Sequence, residues 1–507
     1  MNSSTAFEKA CQHARQTALL QSTLSLLEWD QHTKMPGRAA AYRADQITAL
    51  ATQVHARRTD EKFGQWLAEL DSNKTTTAIG DEPPTDRATN IAGLKRQFDR
   101  QSKVPSELAA ALARSASEGQ TAWVAARRNN DYASFMPYLQ TIVNLKREEA
   151  AAIGFEDHPY DALIDEYELG MSTAQVSLVI KKLSDSLVPL VAKIADSKHK
   201  PDDSILRRDF PVEAQEVFAR EVSTAIGFDY ERGRLDVTAH PFCTEIGPND
   251  CRLTTRYDRK FFNSAFFGTM HEAGHGIYEQ GLLSAEYGLP LGSYCSLGIH
   301  ESQSRLWENL VGRSRSFWRH YFPIAQQYFS QSLGEVKESE FYEAINCVRP
   351  SLIRVEADEA TYNLHIAVRF ELERDLISGD LSLADLPAAW NDKYQDYLGI
   401  APPTDADGVL QDVHWSAGLF GYFPTYLLGN LYASQFFETA ERELEGLQHG
   451  FSHGSFSELK TWLNQNVHQQ GQRFDSLSLG KHVTGQELSH AQLLTHLECK
   501  YREIYDL

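Results

Sequence analysis

Two imidazoles four residues apart with a carboxylate between them, in the run His271-Glu272-Ala273-Gly274-His275, are the residues of this 507-residue chain whose types and spacing can do chemistry. On a helix, a spacing of four puts both rings on one face about 6 Å apart along the axis, so both reach a single ion. Glu272, one step round the helix, then lies beside a water on that ion. Zinc lowers the pKa of such a water to about 7, and a neighbouring carboxylate takes its proton as it attacks a carbonyl. A hydrolytic zinc site also needs a third protein ligand and one open position. The segment GIHESQSRLWENLVG offers two candidates, Glu301, 26 positions after His275, and its neighbour His300. Adjacent helical side chains point about 100° apart, so one of the pair faces the metal, and spacing alone leaves the choice open. His449 and His453 share the spacing of four, but they lie among glycines in QHGFSHGSF with no following Glu and read as an exposed turn.

The element that must carry the motif is a buried helix, because apolar Phe262, Ala265, Phe266, Met270 and Ala273 surround it. Helical periodicity runs through most of the rest, as in ELAAALARSASEGQTAWVAARR from Glu107 and AQVSLVIKKLSDSLVPLVAKIA from Ala174. Pro105-Ser106-Glu107 marks a helix start. The polar runs DSNKTTTAIGDEPPTD from Asp71 and DSKHKPDDS from Asp196 read as loops. Between Arg234 and Tyr257, β-branched residues flank a Gly-Pro-Asn-Asp turn signal, which predicts a small hairpin just before the motif helix. An edge strand there would offer backbone donors and acceptors to an extended peptide. With no repeat of fixed period and no shift of composition, the expectation is a mainly α chain forming a single domain over residues 1–507.

Composition narrows the partners. Hydrophobic residues at 42% and charged residues at 23% describe a globular protein with a large core. Lys and Arg total 49 against 69 Asp and Glu, a formal charge of -20 that repels a phosphate backbone, so nucleic acid is excluded as the main partner. No stretch of about 18 apolar residues occurs, so no membrane association is expected. The six cysteines (Cys11, Cys243, Cys251, Cys295, Cys347, Cys499) form no Cys-x-x-Cys pair. With an N-terminus that lacks a signal-type apolar segment, they place the chain in a reducing, cytoplasmic compartment.

Several longer motifs extend the reading. HEAGH from His271 is followed by HESQSR from His300, and the chain also carries LLEWDQHTKMPGRAAAYRADQ from Leu26, HPF at His240 to Phe242, and Asp-x-Arg-x-Thr as DCRLT from Asp250. IRVEADEATYNLHI from Ile353, GVLQDVHW from Gly408 and GLFGYFPTYLLGN from Gly418 follow in order. The whole set resembles the carboxypeptidase Taq family of metallocarboxypeptidases. That resemblance implies His271, His275 and Glu301 as zinc ligands, which settles the choice against His300, and Glu272 as general base. It also implies a large helical domain split by a deep groove with a short sheet along one wall, similar to the angiotensin-converting enzyme and neurolysin peptidases, and a homodimer.

An enzyme that removes C-terminal residues must recognise a free carboxylate, and a planar guanidinium does so through two parallel hydrogen bonds. Arg354 in IRVEADEATY is the better-placed clamp and Arg252 in DCRLT the second; the alternative for each is a structural ion pair with acids such as Asp250, Glu356 or Asp358. Tyr422 and His414 resemble the oxyanion donors of converting-enzyme sites, with Tyr426 a rival to Tyr422. His240 is a candidate for lining the cleft. Asp358 and Glu359 are candidates for orienting the ligand imidazoles. Trp29 and Asp30 read equally as packing or as the groove rim. The function expected is a zinc-dependent metallocarboxypeptidase that releases single residues from peptides with a free C-terminus, with broad specificity; cobalt or manganese would fit the same ligands. The competing readings are an oligopeptidase or dipeptidyl carboxypeptidase of the same fold, and a catalytically silent metal-containing peptide-binding protein.

Overall fold

Helical periodicity in the sequence becomes helix along nearly the whole chain in a computed structural model that describes residues 3–71 and 84–507. The helix expected from Pro105 runs Ser106–Asn129, and the segment from Ala174 lies in Thr173–Asp196, opened by a capping box in which Ser172 and Gln175 satisfy each other's backbone N–H groups. The loop from Asp196 begins where that helix ends, whereas most of the polar run from Asp71 (residues 72–83) lies outside the described residues. No helix among the described residues is long and apolar enough to cross a membrane.

The chain divides into two compact units, each assembled from three separate stretches. Unit 1 comprises Met1–Ser102, Asp203–Ile345 and Phe436–Gly485. Its sheet has the order β1 (Gly233–Val237), β3 (Asp250–Thr255), β2 (Cys243–Gly247). The expected hairpin is β2–β3, antiparallel and joined through Asn249, which takes a positive φ of 67°. The sequence did not indicate that β1 pairs with β3 in parallel, Gly233 opposite Cys251. Residues 238–242 must therefore arch across two strand spacings, about 9.5 Å, and they carry the His-Pro-Phe motif. Thr254 closes the arch: the backbone N–H of Phe242 donates to its hydroxyl at 2.7 Å, and its own N–H donates to the carbonyl of Phe242 at 2.9 Å.

Behind the sheet lies the Phe262–Gly281 helix. Its apolar stripe enters an aromatic core in which Phe262 and Phe266 stack at 5.2 Å and Phe266 meets Trp318 at 5.2 Å. The hydroxyl of Thr269 donates to that of Thr255 at 3.1 Å, which fixes the helix against β3.

Unit 2 comprises Lys103–Asp202, Asn346–Gln435 and Gln486–Leu507. At its centre the Thr361–Ser378 helix is buried on nearly every face. Such a helix is ordinarily apolar all round, yet this one buries His365, Arg369 and Glu373, and each requires a partner.

Candidate metal centre and the residues around it

The Leu297–Arg305 helix is capped by Ser296, whose hydroxyl accepts from the N–H of Ile299 at 3.1 Å, and it packs on the Phe262–Gly281 helix. The glycine of His-Glu-Ala-Gly-His allows that approach. A Cβ on Gly274 would sit 2.6 Å from both the carbonyl oxygen of Gln303 and the Cα of Ser304. The backbones meet there, and Glu301 comes within reach of both histidines.

Glu301 Oε2 lies 3.6 Å from His271 Nε2 and 3.3 Å from His275 Nε2. A tetrahedral ion with bonds of about 2.0–2.1 Å has ligand–ligand edges of about 3.3–3.4 Å, close to the two distances from Glu301, and the three ligand atoms all lie within 4.8 Å of one another, so the trio could hold one divalent ion. Two imidazole nitrogens and a carboxylate also suit zinc chemically. Burial pushes the His275 imidazole down to about 3, which keeps it in the neutral form a ligand requires. Burial alone would raise Glu301, but Arg305 and His271 outweigh it and hold the carboxyl well below its usual range. Glu272, 7% exposed, goes the other way: burial, opposed by His271 but reinforced by Glu301 and Glu308, pushes it up to about 7. A carboxyl group poised there can both accept and return a proton at neutral pH.

Each candidate ligand is held by an outer hydrogen bond. His271 Nδ1 lies 2.9 Å from Glu308, and Glu308 is fixed by Arg305 at 3.1 Å and Arg313 at 3.4 Å. Arg305 also binds Glu301 Oε1 at 2.7 Å, leaving Oε2 on the histidine side. His275 Nδ1 lies 2.5 Å from His300 Nδ1, and His300 Nε2 lies 2.7 Å from Glu279. Asp358 and Glu359 were the sequence candidates for holding the imidazoles, and the structure commits them elsewhere. Asp358 accepts the backbone N–H groups of Arg349, Ala360 and Thr361, while Glu359 pairs with His496 and Lys500. A positional signal for the observed partners was available. Glu279 continues the stripe of His271 and His275 at i+8, and Glu308 continues Glu301 and Arg305 at i+7, through the π-helical turn Leu306–Val311.

Among the other predicted residues of unit 1, Arg252 makes two hydrogen bonds to Asp250, at 2.9 and 2.8 Å, and stacks 4.2 Å from the Trp29 ring. Its structural ion pair is therefore the one anticipated. His240 stands exposed on the β1–β2 arch, and Asp30 pairs with Arg43 at 2.8 Å. His449 and His453 are exposed, with His453 Nδ1 turned to the His449 carbonyl.

Unit 2 gathers Arg354, His414, Tyr422 and Tyr426 around a residue absent from the sequence candidates, Asp412. Arg354 donates to Asp412 Oδ1 through Nε at 2.9 Å and Nη2 at 2.8 Å, and Arg369 donates to Oδ2 at 2.6 Å. Arg354 is thus already ion-paired, to Asp412 rather than to Glu356 or Asp358, and its Nη1 donates to the Tyr362 hydroxyl at 3.1 Å. His414 Nε2 lies 3.2 Å from the Tyr426 hydroxyl, and burial, with Arg354 adding to it, holds its imidazole down to about 3. Tyr422 packs edge-on against Tyr167 and Tyr426. Behind them the buried Glu373 accepts from the Tyr160 hydroxyl, the Trp415 indole at 2.8 Å and the backbone N–H of Gly421 at 3.1 Å, so one carboxyl group ties down the segments bearing His414 and Tyr422.

With this geometry in view, comparison with known proteins is direct. A model of the carboxypeptidase Taq (M32) metallopeptidases matches residues 9–501. The chain is 46% identical to thermostable carboxypeptidase 1 of Thermus thermophilus over the full length of both, and 38% identical to carboxypeptidase 1 of Bacillus subtilis over 95% of each. A solved M32 carboxypeptidase from Deinococcus radiodurans superposes with a TM-score of 0.94 at 39% identity, covering 99% of this chain and 100% of that one.

Proposed function

Because the chain belongs to the carboxypeptidase Taq (M32) family of metallopeptidases, whose members act as carboxypeptidases, we propose that it is a zinc enzyme releasing single C-terminal residues from peptides, with broad side-chain tolerance. The observation that carries this reading is the buried Glu272 next to His271 in a group of three ligand atoms, from His271, His275 and Glu301, that lie within 4.8 Å of one another. His271, His275 and Glu301 hold the ion, which when bound supplies Lewis acidity for activating water and polarising the scissile carbonyl. Glu272 takes the proton of the attacking water and passes it to the leaving amine. Arg354 recognises the terminal carboxylate, with Asp412 and Tyr362 holding its guanidinium in one plane. His414 and Tyr422 donate to the developing oxyanion, and the neutral state of His414 suits it as a hydrogen-bond donor. Arg252 and His240 contribute to substrate binding from the sheet side of unit 1.

The full length, residues 1–507, acts as one catalytic domain in this reading. Its cytoplasmic placement is supported by six cysteines that form no disulfide among the described residues, and its homodimeric state by the family resemblance. The deep groove and the likeness to converting-enzyme peptidases belong to the same reading.

The test is one unstructured peptide presented as free acid and as C-terminal amide, with product masses followed in time, with and without a chelator. A ladder losing one residue at a time, from the free acid only and abolished by the chelator, is the expected result. Internal fragments from both forms would replace this reading with an oligopeptidase and remove Arg354 from its role. Glu272→Gln should lose turnover and keep its metal; full activity in that variant would exclude Glu272 as the base.

A further inference from the structure

We infer that His300 is a positioning residue for the metal ligand His275, the middle member of a chain Glu279–His300–His275 that sets which nitrogen of the ligand faces the ion. The inference rests on the metal-site reading above and adds to it a role for the residue that competed with Glu301.

The argument is one of proton placement. A carboxylate only accepts, so the His300 Nε2 that lies 2.7 Å from Glu279 must carry the hydrogen. A ring that donates through Nε2 to Glu279 can accept through a lone pair on Nδ1, and it must do so if His275 is to offer its Nε2 to the ion, because His275 then carries its hydrogen on Nδ1. That lone pair faces His275 Nδ1 at 2.5 Å, so the hydrogen of that contact belongs to His275. His275 Nε2 is then the nitrogen with a free lone pair, and it is the one 3.3 Å from Glu301 Oε2. Rotating either ring by half a turn would leave an N–H facing the ion or a buried acceptor facing another acceptor.

The surroundings are built to prevent that rotation. The His300 ring lies between Tyr278 and Tyr294, with centroids 5.1 and 5.0 Å away. The Glu279 side chain is 8% exposed, and its second oxygen is buried with no hydrogen-bond partner among the described residues, so its hydrogen bonding there is directed to His300. Leaving a carboxylate oxygen in that state costs stability, and a structural role would be better served by a satisfied or apolar side chain. The two ligand arms therefore differ. His271 is backed directly by the carboxylate of Glu308, whereas His275 is backed through the His300 ring. The His300-Glu301 dipeptide serves both sides of the site, one residue supplying a ligand and its neighbour the prop, because their side chains diverge by about 100°.

The test is the zinc dissociation constant, measured by competition with a chromophoric chelator, together with the visible spectrum of the cobalt-loaded protein. His300→Phe fills the space but accepts no hydrogen bond, and should weaken zinc binding about 10- to 100-fold and shift the cobalt bands. His300→Gln, whose carbonyl can accept from His275 and whose amide can donate to Glu279, should recover most of that loss. A ring that served packing alone would show the reverse order, with Phe tolerated better than Gln. Unchanged zinc affinity and cobalt spectrum in folded His300→Phe would overturn the inference. If that variant does not fold, Glu279→Ala, which strips the anchor and leaves the ring, decides on the same two readouts. Wild-type protein that binds no zinc would instead refute the metal-site reading itself.

Discussion

Gly274 offers the most stringent test of how the metal centre is assembled. Replacing it by Ala inserts a Cβ 2.6 Å from two backbone atoms of the neighbouring helix, the carbonyl oxygen of Gln303 and the Cα of Ser304. Ordinary contact begins near 3.4 Å, so the helices must part by about 0.8 Å, and neither obstacle can rotate aside as a side-chain tip could. Helix propensity favours Ala over Gly by about 1 kcal/mol, while overpacking of this kind costs about 1–3 kcal/mol and belongs at the upper end, for a net loss of about 2 kcal/mol. The larger effect falls on the ion. A shift of about 0.8 Å is a large fraction of a bond of about 2.0–2.1 Å, and it carries Glu301 away from His271 and His275. Gly268→Ala is the control, since it lies on the same helix and an added Cβ there meets nothing within 4 Å. The assay is thermal unfolding of both variants together with zinc content after equilibrium dialysis at limiting metal. Gly268→Ala should be neutral or slightly more stable with full zinc, and Gly274→Ala less stable and zinc-poor. Matching behaviour of the two variants would refute the close-approach argument.

Two further predictions concern unit 2. Asp412→Asn leaves the buried guanidinium groups of Arg354 and Arg369 without their counter-charge and should cost about 3–5 kcal/mol in urea unfolding; a loss below about 1 kcal/mol would mean that the pair is hydrated or unimportant. Burial pushes the Glu373 carboxyl up to about 7 from an ordinary value of 4.5. Its native state therefore binds more protons than the unfolded chain between those values, so stability should fall by about 3 kcal/mol as pH rises from 4.5 through 7 and then level off. Glu373→Gln should flatten that part of the profile, and an unchanged slope would locate the pH dependence elsewhere.

The helices and the ligand-bearing motif were legible because each depends on local periodicity: the stripe from Phe262 to Ala273 announces its own burial. Glu301 was narrowed to one of two neighbours by spacing and fixed only by resemblance, since a 100° choice is made by the opposing helix and not by the chain around it. The parallel pairing of β1 was hidden, because a hairpin signal carries no information about a third strand arriving from outside it. Asp412 is not legible in the sequence for a different reason. Its importance lies in two arginines, 58 and 43 residues earlier in the chain, and with 69 acids available no local feature marks it out. Glu308 and Glu279 were accessible in principle, since helical phase places them on the ligand stripes, but phase singles them out only once the metal-facing side is known.

The way the two units are threaded has a consequence for how the protein is made. Unit 1 is not finished until residue 485 has been added and unit 2 not until residue 507, because each draws its last stretch from the end of the chain. At about 5–20 residues per second the ribosome needs roughly 5–20 s to pass from the end of the second stretch of unit 1 to the start of its third, and over that interval the helices bearing His271, His275 and Glu301 exist within an unfinished core. No single cut separates the two units into independently expressible halves. Loss of the final helix Ala491–Tyr505, which packs on Thr173–Asp196, would leave unit 2 open along its length.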